Sequence, residues 1–153
     1  MVRVEEHVTI ERPIEEVFTY LSDIERQPDW VSTMSESRKT TTGPTKVGTT
    51  YRQVGKFLGR RFELDCEVAD YQPPRLYAFR AKNGPMHIEM QFTLTSNGPE
   101  TTSVTHVAEG ESGGFFKLAD PILARTMRKQ FAADLETLKT ILESGIATET
   151  VPG

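Results

Sequence analysis

The 153-residue sequence predicts an α+β domain of order β-α-α-β6-α, a curved antiparallel sheet wrapped around one long C-terminal helix. Three observations carry that prediction. The first ten residues alternate apolar with polar side chains, and residues from about 35 to 112 read as further strands cut by Gly/Pro turns. Residues 121–144 then hold a single long apolar stripe at helical spacing. Period two marks a half-buried strand, and period 3.6 marks an amphipathic helix. A composition of 37% hydrophobic and 26% charged residues excludes wholesale disorder. A chain of this length buries roughly 68–70% of its unfolded surface, enough to stand without disulfides or a structural metal.

Each element follows from its pattern. Val2, Val4, Val8 and Ile10 face one way, while Arg3, Glu5, His7, Thr9 and Glu11 face the other. Pro13 ends that strand and suits the first position of a helix, where a missing N–H costs nothing. Ile14, Val17, Phe18 and Leu21 follow as one apolar stripe. Ser22 and Glu25 have the spacing of a capping box for a second short helix, which Pro28 disrupts before Trp30. Breakers then recur at Gly43-Pro44, Leu58-Gly59, Pro73-Pro74, Asn83-Gly84-Pro85 and Asn97-Gly98-Pro99. Between them, Phe62, Leu64, Cys66 and Val68 alternate with charged residues, and Ile88, Met90, Phe92 and Leu94 with polar ones. One wet face indicates an antiparallel meander. Leu123, Met127, Phe131, Leu135, Leu138 and Leu142 form the final helical stripe, with Asp120-Pro121 at its start and Gly145 at its C-cap. The domain spans 1–145, and residues 146–153 read as a loose tail.

Charge and cysteine count exclude several classes of function. A net charge of −4 does not recruit nucleic acid. A single cysteine, Cys66, excludes an internal disulfide and a cysteine-held zinc or iron–sulfur site. Neither a phosphate-cradling glycine motif nor a metal-ligand cluster occurs, so no cofactor and no metal is expected. No stretch reaches the ~18 apolar residues of a transmembrane segment. The acidic, alternating N-terminus is no signal peptide, and a cytoplasmic protein is expected.

Several runs resemble the START-like (SRPBCC) superfamily, in its polyketide cyclase/dehydrase-like branch. They are His7–Phe18, Asp23 with Pro28-Asp29-Trp30, Val47-Gly48-Thr49, Tyr71–Arg80 and Arg128–Lys139. The resemblance covers about residues 3–143 and implies a helix grip, an antiparallel sheet folded around the C-terminal helix with a pocket between them. It also implies a small hydrophobic partner, such as a lipid or polyketide, and in some members cyclisation or dehydration within the pocket.

Strand parity selects the candidate residues. The turns at 57–59 and 83–85 and the connection at 111–119 fall at one end of the meander, where Phe57, Leu58, Met86, Phe115 and Phe116 would form a pocket mouth. The same apolar side chains also suit a plug closing the core. The interior set is Trp30, Leu64, Cys66, Tyr77, Phe79, Met90, Phe92, His106, Met127 and Phe131, which suits an adaptable apolar site and equally a packed core. His106 shares its face with Val104 and Ala108 and is either a general acid/base, with Tyr51 as companion, or a neutral core histidine bonded to one partner. Cys66 reads as a buried, inert thiol. Arg60-Arg61 and Arg125, Arg128 and Lys129 read as solvated charge, or as contacts for an anionic group. Three functions result: binding of a small hydrophobic ligand, a cyclase/dehydratase reaction, or protein docking with a collapsed pocket. The sequence does not decide between monomer and homodimer.

Overall fold

The alternation becomes one antiparallel meander closed by its first strand. The computed structural model describes residues 2–57, 59–81, 86–112 and 121–145. Strand β1 (Val2–Ile10) leads through α1 (Ile14–Leu21) and a 3-10 helix (Ile24–Asp29) into β2 (Met34–Lys39) and β3 (Thr50–Phe57). There follow β4 (Arg60–Gln72), β5 (Leu76–Ala81), β6 (Met86–Ser96) and β7 (Thr102–Ser112), and then α2 (Pro121–Ser144). The strands form a seven-stranded sheet in the order β1-β7-β6-β5-β4-β3-β2. All pairings are antiparallel, so the six strands after the helices run as successive hairpins and β1 closes on β7. A register shift between Val68 and Asp70 bends β4, since a bulge adds a residue on one strand only and increases its twist.

The inward parity matches the alternation. Val4, Val8 and Ile10 of β1, Cys66 and Val68 of β4, Phe92 and Leu94 of β6, and Val104, His106 and Ala108 of β7 are buried. Against this face lies α2, whose 24 residues make a rod about 36 Å long. Leu135, Leu138 and Leu142 are buried in the same core cluster as the sheet side chains. Two bonds moor its C-terminal half to the end of β1. Lys139 Nζ donates to Thr9 O at 2.8 Å, and the Glu11 amide donates to Glu143 Oε2 at 2.8 Å. The helix stops at Gly145, whose φ of 80° is the left-handed conformation of a C-cap glycine.

Two details at the first helices differ from the sequence expectation. Pro13 is the N-cap of α1 rather than its first helical residue, with extended backbone (φ −60°, ψ 147°). The Ser22–Glu25 spacing does not make a capping box. Ser22 Oγ donates backward to Phe18 O at 2.7 Å, so Ser22 closes α1. The next turn is a 3-10 helix with Asp23 at its N-cap and Pro28 inside it.

Gly55 marks a close approach between β3 and the turn before β2. A Cβ there would lie 2.1 Å from Thr33 O and 2.7 Å from the Phe62 ring. Thr33 O already accepts the Lys56 amide at 2.8 Å, so the carbonyl is not free to withdraw. Gly55→Ala is expected to cost about 1–3 kcal/mol, the usual result of overpacking that moves backbone. Urea denaturation measures it, and an unchanged midpoint would show that the turn yields freely.

Candidate functional site

Between the sheet and the N-terminal half of α2 the core does not close. The gap is a cavity of about 120 Å³. Met90 and Phe92 of β6, Leu64 and Cys66 of β4, Phe79 of β5 and His106 of β7 line its sheet side. Met127 and Phe131 of α2 face them, and Trp30, at the end of the 3-10 helix, walls the side. Strand parity explains the sheet wall, because these positions belong to the inward sets of their strands. The helix wall is the N-terminal part of the α2 stripe. Its C-terminal leucines join the core cluster of the sheet, whereas here Phe131 reaches His106 of β7 and the space beside that contact stays open.

Of the residues picked out for the interior, nine line this cavity and Tyr77 does not. The Tyr77 ring is fully buried behind the wall, 5.5 Å from Phe79 and 6.3 Å from Phe92 between centroids. Of the mouth residues, Phe57 lines the cavity. Leu58, Phe115 and Phe116 lie outside the described residues, as do residues 146–153, and only the backbone of Met86 is described.

His106 points inward from β7 and stacks between Phe92 and Phe131, with centroid separations of 4.2 and 4.6 Å. Its Nε2 is buried and has no hydrogen-bond partner among the described residues. At this nitrogen the single bond expected of a core histidine is missing among the described residues, while the ring packs against the two phenyl rings. Burial without a compensating charge lowers its pKa to about 3. The imidazole is thus neutral at ordinary pH. Tyr51 is buried too, but its ring packs on Phe79 away from the cavity wall, and burial raises its pKa well above the usual range. The two candidates for acid–base chemistry do not share the cavity. The Cys66 thiol, pushed up to about 12 chiefly by burial, is no thiolate.

Four polar side chains of the wall, Gln27, Gln53, Gln130 and Asp134, escape a reading by hydropathy. Gln53, inward on β3, donates to Gln27 Oε1 at 2.7 Å and accepts the Cys66 thiol at 3.8 Å. Asp134, one turn beyond Phe131 on α2, accepts from the Ser32 amide (3.1 Å), Ser32 Oγ (2.7 Å) and Gln130 Nε2 (3.4 Å). These bonds tie α2 to the turn after the 3-10 helix. Burial raises the Asp134 pKa, and the bonds from Ser32 and Gln130 oppose that rise. A signal for Asp134 was present, since it falls three residues after Phe131 and four before Leu138, on the helix's apolar face.

Among the described residues no group of three or more His, Cys, Asp or Glu side chains has the arrangement of a metal site. No described helix is long and apolar enough to cross a membrane. Arg61 of the basic pair is bonded to Glu63 at 2.8 Å, and Arg125, Arg128 and Lys129 are exposed along α2.

A seven-stranded antiparallel sheet gripping a C-terminal helix is the START-like helix-grip fold. Within it, this chain belongs to the polyketide cyclase/dehydrase and lipid transport family, whose model matches residues 1–143. Solved structures agree on the fold. The Zhui aromatase/cyclase from Streptomyces sp. R1128 superposes with a TM-score of 0.73 at 19% identity, over 95% of each chain. A START superfamily protein from Mycobacterium smegmatis gives 0.69 at 20% identity, over 97% of this chain and 99% of that one. A protein from Thermus thermophilus gives 0.76 at 16%, over 94% and 99%. At these identities the likeness establishes architecture, and chemistry has to be argued from the cavity. No curated protein sequence matches the chain.

Proposed function

We propose that this protein binds a small hydrophobic molecule in the cavity between the sheet and α2, to carry, sequester or sense it. The cavity itself is the observation that carries the reading: about 120 Å³ with a mainly apolar and aromatic wall. An engineered apolar cavity of about 150 Å³ takes up benzene, so a space of this size admits one ring-sized group. A larger ligand would seat one end there and extend past Phe57. The family match and the Zhui aromatase/cyclase neighbour support an apolar, ring-bearing ligand. For catalysis the wall supplies less. Its histidine is neutral and too weakly basic to hold a proton near neutral pH, and the Tyr51 hydroxyl lies elsewhere. A docking module with a collapsed pocket fits poorly with a cavity of this volume.

Native mass spectrometry tests the proposal. After incubation with a mixed lipid and polyketide extract, the wild-type protein should retain a small-molecule adduct. Leu64→Trp, which fills the cavity from β4, should lose it. No adduct under any loading would end the binding proposal, and an adduct returned lighter by one water would make the protein an enzyme.

A further inference from the structure

The polar groups of the wall are not equivalent. Gln27 Nε2, Trp30 Nε1 and His106 Nε2 have no hydrogen-bond partner among the described residues, and all three atoms are sealed within the wall. The Gln27 amide nitrogen lies toward the Tyr77 hydroxyl, and that hydroxyl toward Tyr51, without any of them reaching hydrogen-bond geometry. Asp134 differs. It is 5% exposed, lines the cavity, and presents an oxygen that is not among those sealed atoms.

The two carboxylate oxygens of Asp134 divide the work. Oδ1 collects all three donors, the Ser32 amide, Ser32 Oγ and Gln130 Nε2. Oδ2 accepts none among the described residues. Asp134 is also the one acidic side chain among the described lining residues, and neither Lys nor Arg joins it there. Neutral donors satisfy hydrogen-bonding capacity but leave the negative charge uncompensated, and a buried carboxylate without a cation is costly. An occupant that brings an N–H or O–H to Oδ2 completes the pairing, and one that also brings positive charge offsets the burial. An anionic occupant would be repelled.

We infer that the cavity selects an apolar, ring-bearing molecule whose polar end donates hydrogen bonds to Asp134 Oδ2, with a protonated amine as the matched group. This rests on the reading of the cavity as a ligand pocket. Four one-ring probes of similar size separate the two: toluene, benzyl alcohol, benzylamine and benzoate, each titrated calorimetrically into the intact protein near neutral pH. Benzylamine should bind at least about tenfold tighter than toluene, with benzyl alcohol between them and benzoate weakest. Asp134→Asn, nearly the same in shape, should bring benzylamine down to the level of toluene and leave toluene unchanged. Toluene binding as tightly as benzylamine would overturn the inference while the pocket stands. Benzyl alcohol matching benzylamine, or benzoate exceeding it, would overturn the amine assignment. Failure of every probe, toluene included, would remove the pocket itself. The comparison among probes on the wild-type chain does not depend on how the variant folds.

Discussion

Leu138→Ala is expected to cost about 2–5 kcal/mol in unfolding free energy, whereas Phe131→Ala, about two turns earlier on the same helix, is expected to cost less than the roughly 3–5 kcal/mol usual for a buried phenylalanine. The contrast follows from what surrounds each side chain. Leu138 is fully buried in the core cluster shared by α2 and the sheet, so its truncation opens a void that its close-packed neighbours cannot fill. Phe131 is half-buried and borders a cavity that already exists. Its removal enlarges space instead of creating it, and fewer dispersion contacts are lost. Against a typical total stability of about 5–15 kcal/mol, the Leu138 loss is large. Urea denaturation of both variants checks the pair. Equal losses would mean that the N-terminal half of α2 is packed as tightly as the rest, and the cavity reading would fall with it. Trp30, the chain's one tryptophan and part of the cavity wall, gives a fluorescence signal for that neighbourhood in both variants.

How much of this was legible in the sequence depends on the chemistry of the inward face. Strands β1, β4 and β6 bury apolar side chains on one face only, so hydropathy alternates with the pleat and their orientation could be read directly. Strand β3 hid its orientation because its inward residues are Tyr51, Gln53 and Gly55, a phenol, an amide and a residue without a side chain. Each suits its place for a reason beyond hydropathy. Gln53 is paired to Gln27 and Cys66, and Gly55 leaves room for Thr33 and Phe62. The capping-box expectation failed because spacing cannot tell a serine that opens a helix from one that closes the preceding helix. Only the direction of the Ser22 hydroxyl bond shows which it is. Parity places His106 inward with Val104 and Ala108, and all three are buried on β7. The stacking partners of His106 were not readable, since Phe92 and Phe131 come from a strand 14 residues before it and a helix 25 residues after it. Pairings of that kind depend on register and helix seating, which alternation within a segment does not report.

The burial of His106 gives the stability of this protein a dependence on acid. His106 has a pKa of about 3 in the folded chain and about 6.5 in an unfolded one. Because the folded value is depressed, the unfolded chain takes up the proton first. The folded state is at full advantage above the unfolded pKa and loses ground as pH falls from about 6.5 toward 3. Between about pH 7.5 and 4.5 the expected loss from this residue is about 3 kcal/mol. Other groups act near and below the lower end of that interval, with both signs. Glu5, Glu63 and Glu143 have lowered pKa values, so the stability they add is lost as pH falls through them. Asp134, raised by burial, works in the opposite direction, its folded state gaining as it protonates. Glu6 lies opposite His106 in the β1–β7 register and Asp134 lines the same cavity, so both belong to the electrostatic setting of the imidazole. The comparison is therefore made against His106→Phe, which keeps a ring beside Phe92 and Phe131 and cancels the titrations that do not depend on the imidazole. Urea midpoints for the two proteins should diverge as pH falls, with wild type losing about 3 kcal/mol more than the variant over that interval. Parallel curves would mean that His106 takes up its proton within the fold, either by reaching water through the cavity or by pairing with Glu6 or Asp134. The imidazole would then be available for acid–base chemistry, and the case for a binding protein over an enzyme would have to be reversed.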